Sequence, residues 1–356
     1  VSNVDLTANI GGFLTLRHPF WIASAHYSEK NSAIDAWSEY KPAAITLKTC
    51  HLAPRDEETE TTRFPTYPSL ARFGRSFYCD GPKQKELLTY ERAADLLRYA
   101  QEKLPDTLVG VSVICDQDQD YERLRAMCKN PAFCELNLKY SFRFKKQGDA
   151  SFFENAAQSF KILIDQIGRF TKAFADIPVF VKVPRELSWL PETRELNALL
   201  GLMVMHGKAG FIVANSLKLA IPPFVKNGRE YSFRNGVLCG ESLFDQTISL
   251  IEQFREPCEK NRVPIIATGG MIEPEQVLTA LRVGASAVQL CTAFDYYHPN
   301  YYSTLCWNLQ NRIELRGLDS FSKYVAGLRR ESVASIYNMP FMYFERFWSE
   351  DIQRRI

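Results

Sequence analysis

None of the nine cysteines forms a C-x-x-C pair, and the five histidines show no H-E-x-x-H or similar ligand spacing. An odd, scattered set of this kind argues against a disulfide framework, a zinc site and an iron–sulfur cluster, so no metal is expected. No stretch approaches the ~18 uninterrupted apolar residues of a membrane span. Lys and Arg total 43 against 41 Asp and Glu, a net charge of +2, which gives no electrostatic reason to expect nucleic acid or an anionic membrane as a partner. The opening segment, Val1 to Gly12, lacks the basic start and apolar core of a signal peptide. Internal repeats and low-complexity segments are missing too. With 46% hydrophobic and 24% charged residues, a soluble globular chain is expected, in a reducing cytoplasm where several cysteines act as small hydrophobes.

What is present is a series of short apolar runs separated by amphipathic stretches. The runs are Phe20–Ser24, Ala43–Lys48, Leu108–Ile114, Phe133–Leu138, Pro178–Val183, Gly210–Asn215, Val263–Thr268 and Ala285–Cys291. Most are apolar and β-branched without clean alternation, as expected for strands buried on both faces of a parallel sheet. Between them, Asn155–Phe174 repeats Phe160, Leu163, Ile164, Ile167 and Phe174 at helical spacing, and Glu241–Phe254 does so with Phe244, Ile248 and Ile251. A further helix opens at Glu273-Pro274-Glu275, with Pro in the first turn and acids at the positive dipole end, and closes at Gly284 as an αL cap. Segment 84–103 is expected to be helical from Leu87, Leu88, Ala94, Leu97 and Tyr99. Eight strands, each followed by a helix, predict an α/β (β/α)8 barrel over residues 1–330. The competing doubly wound sheet would normally carry a G-x-G-x-x-G turn after its first strand, and none is present. Two segments exceed an even barrel. The connection Thr49–Pro82 has the length and turn chemistry of a lid. The extension 331–356 carries Tyr337, Phe341, Tyr343, Phe344, Phe347 and Trp348, and is expected to pack on the barrel or on a second subunit, with a homodimer as the expected assembly.

Barrel active sites form at the C-terminal ends of the strands. Those ends carry Ser24, Lys48-Thr49, Asn137, Lys182, Asn215-Ser216, Thr268-Gly269-Gly270 and Thr292. A lysine ending a buried strand costs several kcal/mol to desolvate unless an anion meets it, either a ligand or a neighbouring carboxylate. The Gly269-Gly270 turn precedes a helix in the place where barrels commonly bind phosphate, and Cys291-Thr292-Ala293 ends the eighth strand beside it. Gly236-Val237-Leu238-Cys239-Gly240-Glu241 leads into the sixth helix, whose first N–H groups can join the same seat.

From about Val4 to Arg330 the chain resembles the dihydroorotate dehydrogenase family of FMN-binding barrels. The resemblance lies in the opening hairpin running into His18-Pro19-Phe20-Trp21-Ile22-Ala23-Ser24, in Ile45-Thr46-Leu47-Lys48-Thr49, Glu135-Leu136-Asn137-Leu138, Val181-Lys182-Val183-Pro184, Ala214-Asn215-Ser216, Gly236 to Gly240 and Ala267-Thr268-Gly269-Gly270 through Thr292. It implies an FMN-dependent oxidoreductase acting on a CH–CH bond. Gly240, Gly269, Gly270 and Thr292, flanked by Cys239 and Cys291, would hold the phosphate. Ser24, Lys48, Thr49, Asn137, Lys182, Asn215 and Ser216 would line the isoalloxazine and ribityl chain. A cationic Lys182 near the flavin N1–C2 carbonyl would stabilise the charge of reduced flavin.

The substrate side departs from the family pattern. The loop after the second strand reads Ser69 to Tyr78, without the family's N-x-x-G-x-x-N. After Asn137 the family has S-[CSP]-P-N, with a Cys or Ser base and a substrate Asn; here Lys139, Tyr140, Ser141 and Phe142 stand there. A phenol of pKa about 10 is a poor base and a good general acid. Tyr140 is therefore expected to donate a proton while hydride leaves flavin N5, favouring reduction of an activated C=C bond, unless Lys139 lowers the phenol pKa and permits oxidation. Lys48 is a further catalytic candidate. Asn137, Asn215, Phe142, Arg143 and His26 are candidates for substrate contact, with His26 also an alternative proton donor, and Arg72 and Arg75 are candidates for an anionic substrate group. Three functions stay open: a flavin oxidoreductase with a changed small-molecule substrate and an unidentified electron donor or acceptor, dihydroorotate dehydrogenase with unusual catalytic residues, or a non-catalytic barrel binding FMN or another phosphate ligand.

Overall fold

The computed structural model describes residues 4–52, 76–79, 87–116, 118–138, 151–185, 194–218, 221–226, 229–233 and 237–330. The barrel strands and their helices follow in order: β1 (Phe20–Ile22), α1 (Asn31–Ser38), β2 (Ala44–Thr46), α2 (Tyr90–Lys103), β3 (Leu108–Ile114), α3 (Tyr121–Met127), β4 (Cys134–Asn137) and α4 (Ser151–Ala173). Then come β5 (Val179–Val183), α5 (Arg194–His206), β6 (Ala209–Val213), α6 (Phe244–Asn261), β7 (Ile265–Thr268), α7 (Pro274–Val283), β8 (Ala287–Leu290) and α8 (Thr292–Tyr297). Each strand pairs in parallel with the next, and β8 pairs with β1, so the sheet closes. This is the predicted (β/α)8 barrel, with seven strands inside the expected runs and β6 starting one residue early, at Ala209. Helices α9 (Tyr301–Leu315) and α10 (Phe321–Leu328) follow it. Among the described residues no helix is long and apolar enough to cross a membrane.

The runs looked uniformly apolar because the alternation inside them is between helix-facing aliphatics and a mixed lumen. In β5, Phe180 and Lys182 share the inner side. Phe180 meets the Trp21 ring at 5.2 Å, and Lys182 reaches Gln289 of β8. The lower lumen is aromatic: Trp21 lies edge-on to Phe133 at 4.3 Å, and a Cβ on Gly110 would overlap the Phe133 ring. The antiparallel hairpin Ala8–Ile10 and Leu14–Leu16 closes this end, with Phe13 at 6.1 Å from Phe180. The upper lumen is polar, and it positions the site.

Two local expectations need correction. Helix α2 begins at Tyr90, not near residue 84. Leu88–Thr89 is a short strand beside Cys50–His51, and Thr89 is the N-cap, its Oγ1 accepting the Arg92 N–H. The buried face is accordingly Tyr90, Ala93, Leu96, Leu97 and Ala100. Gly284 does end α7, but at φ +135 and ψ −7, outside αL; a Cβ there would press on the Arg255 side chain at 3.1 Å. The helix start was as expected: Pro274 sits in the first turn and Glu273 forms a capping box with Gln276. Of the long second connection, the strands Cys50–His51 and Ser76–Cys79 are described, and the latter pairs with Val237–Gly240. The rest of the expected lid and the extension 331–356 lie outside the described residues.

His18 ties the floor of the barrel to α9. Its Nδ1 accepts the Phe20 N–H at 3.4 Å, which leaves Nε2–H facing the Tyr302 hydroxyl at 3.3 Å, and that hydroxyl donates to Phe20 O at 3.0 Å. Burial, with the charge of Arg17 second, pushes the imidazole pKa from 6.5 down to about 3. The unfolded chain therefore takes up a proton below about pH 6.5 that the folded chain refuses until about pH 3, so this residue's share of stability is whole above pH 6.5 and drains away as pH falls. Urea denaturation should show wild type losing about 2 kcal/mol more than His18→Gln between about pH 6.5 and pH 5. Equal losses would mean that His18 is protonated in the fold.

Candidate active site

The strand-end residues converge on one buried carboxylate that they do not include. Glu135 of β4 is fully buried in the lumen. Its Oε1 accepts Ser24 Oγ at 2.8 Å and Ser112 Oγ at 2.9 Å, and lies 3.5 Å from Lys182 Nζ; its Oε2 accepts Gln289 Nε2 at 3.0 Å. Lys182 also donates to Gln289 Oε1 at 3.0 Å, and the Thr46 hydroxyl accepts from both Gln289 at 3.3 Å and Trp21 Nε1 at 2.7 Å. From Ser112 the chain continues upward. Thr49 Oγ1 is 3.0 Å from Ser112 Oγ and accepts Asn137 Nδ2 at 3.4 Å; Asn137 Oδ1 accepts Asn215 Nδ2 at 3.0 Å, and Asn215 Oδ1 accepts the Ser216 N–H at 2.8 Å. Period-two placement explains it: Glu135 and Asn137 of β4 face the lumen together with Ser112 of β3 and Lys182 of β5, whose registers align them.

Of the expected site residues, the structure thus joins Ser24, Thr49, Asn137, Lys182, Asn215 and Ser216. Lys48 stands apart, its Nζ 3.5 Å from Glu29 Oε2. Both strand-end lysines have a protein carboxylate, so neither alone demands a ligand anion. His26 and Tyr27, just past β1, bond Asp295 of α8 at 2.9 and 2.8 Å, with their rings 4.0 Å apart. Burial first, then Asp295, pushes the Tyr27 phenol up, so it stays a donor. Tyr140, Lys139, Phe142, Arg143, Arg72 and Arg75 lie outside the described residues.

The second half of the site is the turn after β7. Gly269 and Gly270 have φ +92 and +89, and Gly240, ending the strand Val237–Gly240, has φ +100. Among the described residues no hydrogen bond uses the backbone N–H of Gly269 or Gly270. A Cβ on Gly270 would lie 2.5 Å from Phe244 Cα, and one on Gly269 would lie 2.9 Å from Ala214 O and collide with the Arg185 guanidinium. The glycines therefore let the turn lie against the start of α6, and α8 packs against Val237–Gly240. Cys291, which precedes Thr292 at the start of α8, has its thiol pKa pushed up by burial, so it stays a neutral group. Two unbonded N–H groups on a positive-φ turn, with a buried ammonium in the adjoining lumen, suit a ligand with a phosphate at one end and a polar heterocycle at the other. FMN fits that description. Sequence reasoning missed Glu135, Gln289, Ser112 and Arg185. The sequence carries a signal for Glu135: it stands two residues before Asn137 in a run that alternates.

A closed parallel barrel with this polar strand-end face belongs to the small-ligand α/β barrels. The sequence model of the dihydroorotate dehydrogenase family matches residues 94–313, more than half of the chain. The chain belongs to the dihydroorotate dehydrogenase family. A dihydroorotate dehydrogenase (quinone) of Sphingopyxis alaskensis is 29% identical over 161 residues, 45% of this chain and 42% of that protein. One from a Nostoc species is 26% identical over 152 residues, 42% and 39% of the two chains, and one from Cereibacter sphaeroides is 29% identical over 140 residues, 39% and 37%. The chain thus matches about two-fifths of the length of these relatives.

Proposed function

We propose that the chain is an FMN-dependent oxidoreductase of the dihydroorotate dehydrogenase type that acts on a CH–CH or C=C bond of a small polar or heterocyclic substrate. The observation that carries this is the lumen network ending at Lys182, Asn137 and Asn215 beside the Gly269-Gly270 turn. Bound FMN would supply hydride transfer at N5. Gly240, Gly269, Gly270 and Thr292 would hold its phosphate. Lys182, held by Glu135 and Gln289, would present a fixed positive charge to the pyrimidine edge of the ring. Asn137 and Asn215, which lock each other's amides, would orient the face against which substrate lies.

Family membership favours dihydroorotate as substrate; Tyr140 and Phe142, at the positions of the family base and substrate Asn, favour another. With a protonated phenol at 140, the reductive direction is the expected one. The relatives' names carry a quinone, which makes a quinone the first oxidant to test should the protein oxidise its substrate. The purified protein is expected to be yellow and to release one FMN per chain on denaturation; a colourless protein that no flavin reconstitutes overturns the proposal. Bleaching of the flavin by dihydroorotate would select that substrate. Tyr140→Phe should keep FMN and lose roughly 100-fold or more in reoxidation of the reduced flavin by an activated alkene. Full turnover in this variant removes Tyr140 from proton transfer.

A further inference from the structure

We infer that Arg185 is a positioning residue that gives this barrel a preference for phosphorylated over unphosphorylated flavin. Arg185 stands three residues past Lys182, but it turns away from the lumen. It is 1% exposed and runs behind the ends of β6 and β7: Nε donates to Asn215 O at 2.7 Å, Nη1 to Gln246 Oε1 at 3.4 Å, and Nη2 to Thr247 Oγ1. The single Thr247 hydroxyl proton lies between two carbonyl acceptors, Gly269 O at 2.8 Å and Leu243 O at 2.9 Å. One guanidinium therefore links β6, the first turns of α6 and the glycine turn.

Its position relative to Gly269 is the telling part. The space a side chain would need at Gly269 is held by Arg185 Nη2. The cation thus lies against the backbone of the turn whose two N–H groups make no bond within the described protein. A guanidinium is charged at every working pH, and here no bulk water screens it. It backs the turn with positive charge, and through Thr247 it holds the Gly269 carbonyl, which fixes where the adjacent N–H groups point. The surroundings also contain an opposing charge: Glu241, in the turn before α6, is joined to Gln276 at 3.0 Å. A buried cation behind the turn offsets that carboxylate for an incoming dianion. The same charge does nothing for a flavin whose ribityl chain ends in a hydroxyl.

The inference rests on the proposal that FMN sits with its phosphate on this turn, and comparing two flavins separates the two claims. Protein stripped of flavin is titrated with FMN and with riboflavin, each followed by quenching of flavin fluorescence. Arg185→Gln should lose about 10- to 100-fold in FMN affinity while riboflavin affinity changes by no more than about threefold. Arg185→Lys, which keeps the charge and loses the fork, should recover part of the FMN preference. Should Arg185→Gln fail to fold, Thr247→Val supplies the test: freeing the guanidinium from its anchor should lower the FMN-to-riboflavin ratio by about threefold or more. A ratio unchanged in these variants, or parallel loss of both flavins, makes Arg185 a structural strut only and overturns the inference. If wild type binds neither flavin, the cofactor proposal falls and takes this inference with it. If it binds both equally, the cofactor proposal stands and the phosphate preference does not.

Discussion

Lys182→Met is expected to cost the fold about 3–5 kcal/mol, more than any other single change in the lumen. The reason lies in Glu135. Its carboxylate has no exposure, and Lys182 is the one cationic side chain that the described structure places on it; Ser24, Ser112 and Gln289 are neutral donors. Removing the ammonium leaves an ion in a place water does not reach, and three hydrogen bonds do not replace a charge. Methionine fills much of the lysine stem's volume, so a cavity contributes little. Glu135→Gln in the Lys182→Met background should return most of the loss, because a neutral amide can keep bonds to the same hydroxyls. Urea denaturation of the wild type, both single variants and the double variant measures the coupling. A single-variant cost under about 1 kcal/mol would overturn the ion-pair account and leave Lys182 contributing by hydrogen bonding alone. Because the pair is built into the barrel itself, Lys182 is oriented before any cofactor arrives, which is the condition for its charge to assist chemistry without reorganising.

That network also marks where sequence reasoning stopped. The strands were legible because fully buried parallel strands leave apolar runs of characteristic length between helical patterns, and each run overlaps its strand, β6 alone starting one residue early. The grouping of the strand-end residues was legible because a barrel brings the C-terminal ends of its strands to one face. The internal logic was not. Desolvation asks for an anion beside Lys48 and Lys182, but the sequence does not say whether it is a ligand or which acid lies across the barrel, and the structure places Glu29 and Glu135 there. Gln289 lies 107 positions from the lysine it bonds and Glu135 lies 154 from that glutamine, distances at which no local pattern operates. Arg185 was silent for a related reason: nothing in Pro184-Arg185 reveals that the side chain turns back under Gly269, a contact created by the closure of the barrel. The start of α2 was misplaced because Leu87 and Leu88 continue the helical spacing, while the chain there pairs with Cys50–His51 instead. An edge pairing of two residues overrode a local preference worth a few tenths of a kcal/mol per position.

The glycine pair carries the second large effect. Gly270→Ala is expected to abolish measurable FMN binding, at least about a 100-fold loss, and to destabilise the fold by about 2–4 kcal/mol. At φ +89 any L side chain is strained, and the new Cβ would lie 2.5 Å from Phe244 Cα and 2.9 Å from Leu243 C. These are backbone atoms at the start of α6, so nothing near them can swing aside; the turn itself must lift, and its N–H groups with it. Gly269→Ala should be milder for the fold, since one of its two close contacts is the Arg185 side chain, which can withdraw, although Ala214 O at 2.9 Å cannot. It should nonetheless weaken FMN binding, because the withdrawal moves the cation that backs the seat. Gly12→Ala is the control for strain without collision: φ is +80 and nothing lies within 4 Å, so it should cost about 1 kcal/mol and leave flavin binding alone. Thermal melting and FMN titration on the three variants separate the effects. If Gly270→Ala binds FMN as wild type does, the turn after β7 is not the phosphate seat, and the glycines serve only to let it lie against α6.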